Sequence, residues 1–354
     1  MRVPRVRVST LVRQLTERDA ALLCQLAVCR YLRTEQVRAL YFPDATLDRT
    51  SQRLRELATR RLVRNVRYAH DGVRRFAYWH LTPLGLTACQ TLMQAEEIPY
   101  RSERDIRLRP HFLPHCVDVA EVRIQLELLV RAGRMRDYTF RTAGLARIQI
   151  DRGGRVERAT PDALIAIQTK RPGVWWSFWL EIDEGTMTRR AMAGKAERIR
   201  RLLAAHDYKP DPAWSWLGSR HVTVILICEE QRRCLWLEEV FRAAGFTGHG
   251  HPQIWTRSSP REAAVAIATA VLEGDRRYAE QEQRRADEAV AKEKREVEER
   301  RKAEQLERAR EEYVSLQEAW AEKQYQTQGL WKRLPVEHFK QQFARLYPFP
   351  SVGE

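Results

Sequence analysis

Three carboxylates, Asp162, Glu181 and Asp183, sit at the ends of what reads as one buried hairpin. Residues 160–167 (TPDALIAI) and 175–183 (WWSFWLEID) are β-branched and aromatic runs, and Pro172-Gly173 between them is a turn signal. With its tip at Arg171-Pro172, Asp162 faces Glu181; with its tip at Pro172-Gly173, Asp162 faces Asp183. Side chains alternate with period two, so either register puts all three acids on one face. Like charges opposed across a strand pair are destabilising, and an apolar strand desolvates them as well. A cation offsets both costs. An all-oxygen ligand set suits Mg²⁺ or Mn²⁺, hard ions that commonly act on phosphates. The plainer alternative has Asp162 opening its strand and Glu181 paired with a nearby Arg.

The net charge of +15 points to a polyanion partner, and its distribution is more telling than its size. Residues 1–100 hold 17 Arg, no Lys, and 9 Asp plus Glu, a local excess of +8. Arg binds phosphate and guanine bidentately, so DNA is the expected partner. Membrane insertion is not expected, because no 18-residue apolar run occurs and the basic N-terminus lacks an apolar signal core. A cytoplasmic location follows from that reading. The six cysteines (Cys24, Cys29, Cys89, Cys116, Cys228, Cys234) lie in apolar runs without zinc-type spacing and are expected to be reduced structural thiols.

Elements must position these groups. Residues 16–29 predict a helix capped by Thr16 with Asp19 at its third position, and Thr34 is expected to cap a second helix that ends before Pro43. A third, from about Thr46 to Arg60, turns Leu47, Leu54 and Leu57 inward and Arg49, Arg53, Arg55 and Arg60 outward. Two alternating strands joined at Asp71-Gly72 follow. Three helices and a hairpin make a winged helix-turn-helix over 1–100. Its third helix would enter a major groove, while Arg64, Arg67, Arg74 and Arg75 line the wing. An Arg-rich linker is expected over 101–114 and an α/β core with a mixed sheet over 115–272. That core holds helices near 117–132, 188–205 and 235–245 and a strand near 221–229 that is apolar on both faces. A charged helical tail with an aromatic end spans 273–354; its i,i+4 charge pairs support a solvated helix rather than a coiled coil. The aromatic end is expected either to fold back or to dock on a replication or conjugation partner.

LTPLG (81–85), HCVDVAEVR (115–123), PDALIAI and FWLEIDEGT (178–186), in that order, resemble the plasmid replication-relaxation family, which includes mobilisation relaxases of the MobC type. The resemblance spans about residues 15–245, and it implies a core like that of the restriction-endonuclease P-D…(D/E)-x-K nucleases. Carried over, it makes Asp162 and Glu181 metal ligands and sets Asp183 where that pattern has its lysine. Lys195 is then a displaced substitute, Arg189 or Arg190 a neutraliser of the phosphate, and Glu121 an additional acid. His115 is expected to cap or pack its helix, and His249-Gly250-His251 to be surface loop. The implied activity is metal-dependent nicking at a plasmid or integrative-element origin. Two rivals stand beside it: a non-catalytic origin-binding or transcriptional regulator with a degenerate core, and a restriction-like endonuclease cutting both strands. A covalent intermediate would call on one of Tyr31, Tyr41, Tyr68 or Tyr78.

Overall fold

The computed structural model describes residues 5–69, 75–93, 98–100, 102, 108–152, 155–171, 173–208, 222–246, 253–327 and 334–349. They divide into two compact units, Met1–Tyr278 and Ala279–Glu354. The expected Asp71-Gly72 turn, Arg74, the side chain of Arg75, and His249 to His251 lie outside the described residues.

After a first helix α1 (Arg5–Arg13), the chain runs α2 (Glu17–Cys29), β1 (Leu32–Arg33), α3 (Thr34–Tyr41), α4 (Leu47–Thr59), β2 (Val63–Ala69) and β3 (Arg75–Leu81). The three strands form one sheet in the order β1-β3-β2, the topology of a winged helix. Thr16 caps α2 and Thr46 caps α4, each hydroxyl accepting a backbone N–H three residues on. Two expectations are corrected. Thr34 does not cap α3: Arg33 holds that position, its N–H bonded to Gln36 Oε1 at 2.8 Å, while the Thr34 hydroxyl accepts from Trp79 Nε1. Leu47 is 42% exposed, because α4 turns Leu54 and Leu57 to the core and leaves its first residue at the rim.

The LTPLG motif gains a physical meaning here. Thr82 caps α5 (Pro83–Leu92), with Pro83 in the first turn, and its hydroxyl also bonds the carbonyl of Arg61. Arg61 has φ 58°, so the chain leaves α4 through a left-handed residue that Thr82 pins. A Cβ on Gly85 would lie 2.0 Å from the Leu62 carbonyl oxygen. Only glycine lets α5 approach this closely.

The core begins with α6 (Leu113–Arg131), four residues earlier than expected, after a 3-10 turn at Pro110–Phe112. Then come β4 (Tyr138–Thr142), a separate hairpin of β5 (Ile148–Arg152) and β6 (Arg155–Ala159), β7 (Ala163–Gln168) and β8 (Trp175–Ile182). The remaining elements are α7 (Arg189–Tyr208), β9 (Val222–Ile227), α8 (Gln231–Ala243) and β10 (Ile254–Arg257). A five-stranded mixed sheet has the order β10-β9-β8-β7-β4, antiparallel from β4 to β8 and parallel from β8 to β10. One face packs Leu164, Ala166, Trp179 and Leu226 under α7 and α8; the other packs Ile165, Phe178, Leu180 and Ile225 on α6. β9 is buried along its whole length, as its unbroken apolar run requires.

The long helix α9 (Pro260–Thr327) starts inside this layer: Ala263, Ala264, Ile267, Ala268 and Val271 join the α6 face of the sheet. In the second unit its residues from 281 to 312 are exposed and laced by i,i+4 pairs such as Arg300–Glu304 at 3.1 Å. The aromatic end folds back as α10 (Val336–Leu346), where Phe339, Phe343 and Tyr347 close on Tyr313 and Trp320.

The cysteine expectation is also corrected. Cys228 and Cys234 form a disulfide, with Cα atoms 5.6 Å apart, because the end of β9 and the first turn of α8 bring them together. Cys24, Cys29, Cys89 and Cys116 are not in disulfides and remain thiols.

Substituting Gly85 by Ala should force α5 away from the Leu62 backbone, at a cost of at least about 1–3 kcal/mol. Gly144, whose Cβ would meet nothing within 4 Å, is the control. Thermal melts should show a lowered Tm for Gly85→Ala and little change for Gly144→Ala.

Candidate active site and DNA-binding face

The hairpin register decides which acids meet. Ala163 pairs with Leu180, the Asp162 N–H donates to the Leu180 carbonyl at 3.1 Å, and continuing that register sets Asp162 opposite Glu181. This is the arrangement expected from a tip at Arg171-Pro172. Both oxygens of Asp162 are engaged. Oδ2 accepts the Ile182 N–H at 2.7 Å, and Oδ1 lies 3.0 Å from His115 Nε2, in the first turn of α6. His115 therefore does more than cap or pack its helix; its other nitrogen lies 3.7 Å from Glu184.

Glu181 is 5% exposed. One oxygen accepts from Trp179 Nε1 at 2.8 Å and the other from Lys195 Nζ, on α7, at 2.6 Å. Burial and the charge of Asp162 push the Glu181 carboxyl up to about 7 in spite of Lys195. Burial also acts on Asp162, but the His115 contact and the Ile182 N–H outweigh it and hold that carboxyl below its ordinary value. Burial would lower His115; its bonds to Asp162 and Glu184 instead push it up to about 10, so it is an imidazolium at neutral pH.

Asp183 goes elsewhere. Its carboxylate is forked on Arg233 of α8, at 2.5 and 3.2 Å, and that guanidinium also bonds the Met187 carbonyl and lies over Trp236. Glu121 accepts from Gln36 and Gln125, and so ties α6 to the winged helix. Arg189 pairs with exposed Glu239 at 3.7 Å. Arg190 instead lines a cavity of about 730 Å³ over Glu181, together with Lys195, Arg198, Thr160 and Thr188. Asp162, Glu181, Lys195 and Arg190 are thus brought together, with His115 and Arg198 added. Asp183, Glu121 and Arg189 each have other partners. Among the described residues, no group of three or more His, Cys, Asp or Glu is arranged to hold a metal ion.

On the winged helix, Arg49, Arg55 and Arg60 are exposed along α4, and Arg64 and Arg67 along β2. Arg53 is not part of that face. It pairs bidentately with fully buried Asp19 of α2 and also with Glu56, as a strut that sets the pitch of α4.

Asp118, one turn beyond His115, is pushed up to about 6 by burial and then by repulsion from Glu184. A folded value above the ordinary 3.8 means that its contribution to stability is complete below 3.8 and is lost as pH rises through about 6. Asp118→Asn should therefore melt higher than the parent above pH 6, the gap closing as pH falls toward 3.8, in a series of melts across pH.

No helix among the described residues is long and apolar enough to cross a membrane. No curated protein and no solved structure matches the chain. A family model described as replication-relaxation matches residues 23–213, which take in most of the winged helix, α6, the hairpin with Asp162 and Glu181, and α7 with Lys195. With more than half of its length matched, the chain belongs to the replication-relaxation family.

Proposed function

We infer that this protein binds DNA through its winged helix and cuts one strand in its core by metal-dependent phosphodiester cleavage, at the origin of a plasmid or integrative element. The observation that carries the reading is the group formed by Asp162, Glu181 and Lys195 under a cavity walled by Arg190 and Arg198. The element order of α6, three antiparallel strands, α7 and a parallel strand supports a restriction-endonuclease-like core, with the acids at the strand ends where that chemistry is expected.

The donor set fits one hard divalent ion. Two carboxylates from facing strand positions supply oxygen ligands, and the repulsion that raises Glu181 is what a bound cation would relieve. Mg²⁺ or Mn²⁺ is commonly held by only one or two carboxylates, its remaining positions filled by water and substrate phosphate. Asp162 and Glu181 would hold the ion; Asp183, committed to Arg233, is outside the set. When bound, such an ion supplies Lewis acidity and activates water.

The chain's own groups do the positioning. His115 and the Ile182 N–H fix the Asp162 carboxylate from both sides. Lys195, on the helix after the motif, offers the cation that the (D/E)-x-K nuclease pattern carries two residues beyond its acid. Arg190 and Arg198 offset the charge that grows on the phosphoryl oxygens. Partners other than DNA, such as a replication or conjugation protein at the tail, remain part of this proposal. The regulator reading has one observation on its side: each of the three acids already has a cationic partner.

Two measurements test this. With Mg²⁺ or Mn²⁺, wild type should turn supercoiled plasmid carrying the gene's flanking DNA into open circles, and Asp162→Ala and Glu181→Ala should each lower that rate by about 100-fold or more with DNA binding intact. Tight binding with no cutting under either metal supports the regulator; linear product supports the restriction-like alternative. Arg49→Ala and Arg55→Ala should each weaken DNA binding and lower the salt slope by about one, whereas Arg53→Ala should cost roughly 3 kcal/mol of stability by leaving Asp19 buried and unpaired.

A further inference from the structure

A cavity lies on each side of Thr160, two residues before Asp162. On one lies the cation-walled cavity of about 730 Å³ over Glu181 and Lys195. On the other, a second cavity of about 280 Å³ is bounded by Arg30, Tyr100, Phe112, His115, Thr142 and Asp162 itself. Thr160 lines both, so the two meet at the residues that lead into β7.

Their walls differ in chemistry. The first presents Arg190, Lys195 and Arg198, suited to a phosphate. The second presents aromatic and apolar surface: Tyr100 carries the Arg30 guanidinium over its ring at 4.8 Å, and Phe112, 48% exposed, stands at the rim. A cavity of roughly 150 Å³ holds a benzene ring, so the space is ample for a purine. Flat rings with a guanidinium beside them are the walls on which unpaired bases stack.

We propose that the second cavity is a nucleobase subsite, which takes one base extruded from the DNA strand whose phosphate lies over Glu181. The subsite rests on the proposed cleavage reading for the choice of strand, and it deepens that reading: the substrate is DNA with an unpaired base beside the cut, not an undistorted duplex. Phe112 stacks the base, and Thr160 stands between base and phosphate.

The test is binding of short duplexes in the presence of a chelator, so that cutting plays no part. Three probes are compared: a fully paired duplex, one with a single bulged adenine, and one with an abasic bulge. Stacking of a base is worth about 1–3 kcal/mol, so wild type should bind the bulged adenine roughly 5- to 150-fold more tightly than either control. Phe112→Ala should lose that advantage while keeping its affinity for the paired duplex, and Phe112→Tyr should retain it. Equal affinity of wild type for all three duplexes, or an advantage that survives in Phe112→Ala, overturns the subsite. Failure to nick supercoiled plasmid, by contrast, overturns the cleavage reading alone.

Discussion

Helix α6 is the constraint on which the first unit depends. Its Ala120 and Ile124 belong to the winged-helix core, its Val119, Val122, Leu126 and Leu129 to the sheet, and its Leu113 and Val117 to a cluster with Tyr31, just before β1, and Tyr78 of β3. A helix apolar on so many sides has no surface face to lose, and either body taken alone would expose one of its flanks. Polar bonds fix the fit: Gln36 reaches the Val117 carbonyl and Glu121, Arg123 reaches Gln25, and Thr142 reaches the Val28 carbonyl. The winged helix and the core that holds the candidate site therefore share a wall. His115, in the first turn of that wall, touches Asp162 directly.

The electrostatics of the site follow from its place at the strand ends. Glu181 lies on the face that continues Trp179, under α7, where water is scarce; its charge is costly unless Lys195 stays close. Each acid in the motif has been given a cation from a different helix: His115 from α6, Lys195 from α7 and Arg233 from α8. The third of these is structural. By holding Asp183 and the Met187 carbonyl together, Arg233 fixes the turn that leads into α7, and so the placement of Lys195.

Much of the fold was legible in the sequence because it is written in short-range patterns. The cap at Thr16, the alternation in β2 and β3, and the unbroken apolar run of β9 each report local geometry. Of the two hairpin registers left open, the one that opposes Asp162 and Glu181 is found. Contacts between distant segments were not legible. Nothing in QRRC foretells that Arg233 will claim Asp183, 50 residues earlier, and the 47 residues between His115 and Asp162 hide their bond. Arg53 misled for the same reason: helical spacing puts it near the outward arginines, but its partner Asp19 lies on another helix. The Cys228–Cys234 pair was missed because spacing alone does not tell a strand end from a helix start.

The LTPLG segment bears on how a protein of this kind is recognised at all. Gly85 and Thr82 are held by contact with the backbone of Arg61 and Leu62. The role of such a segment in folding is the same whether or not the chain ever breaks a phosphodiester bond. Of the segments that carry the resemblance, LTPLG thus serves folding, whereas PDALIAI and FWLEIDEGT hold the acids that would do chemistry. A chain that keeps Gly85 but lacks Glu181 or Lys195 would keep the close approach of α5 to Leu62 while lacking the groups proposed for cleavage.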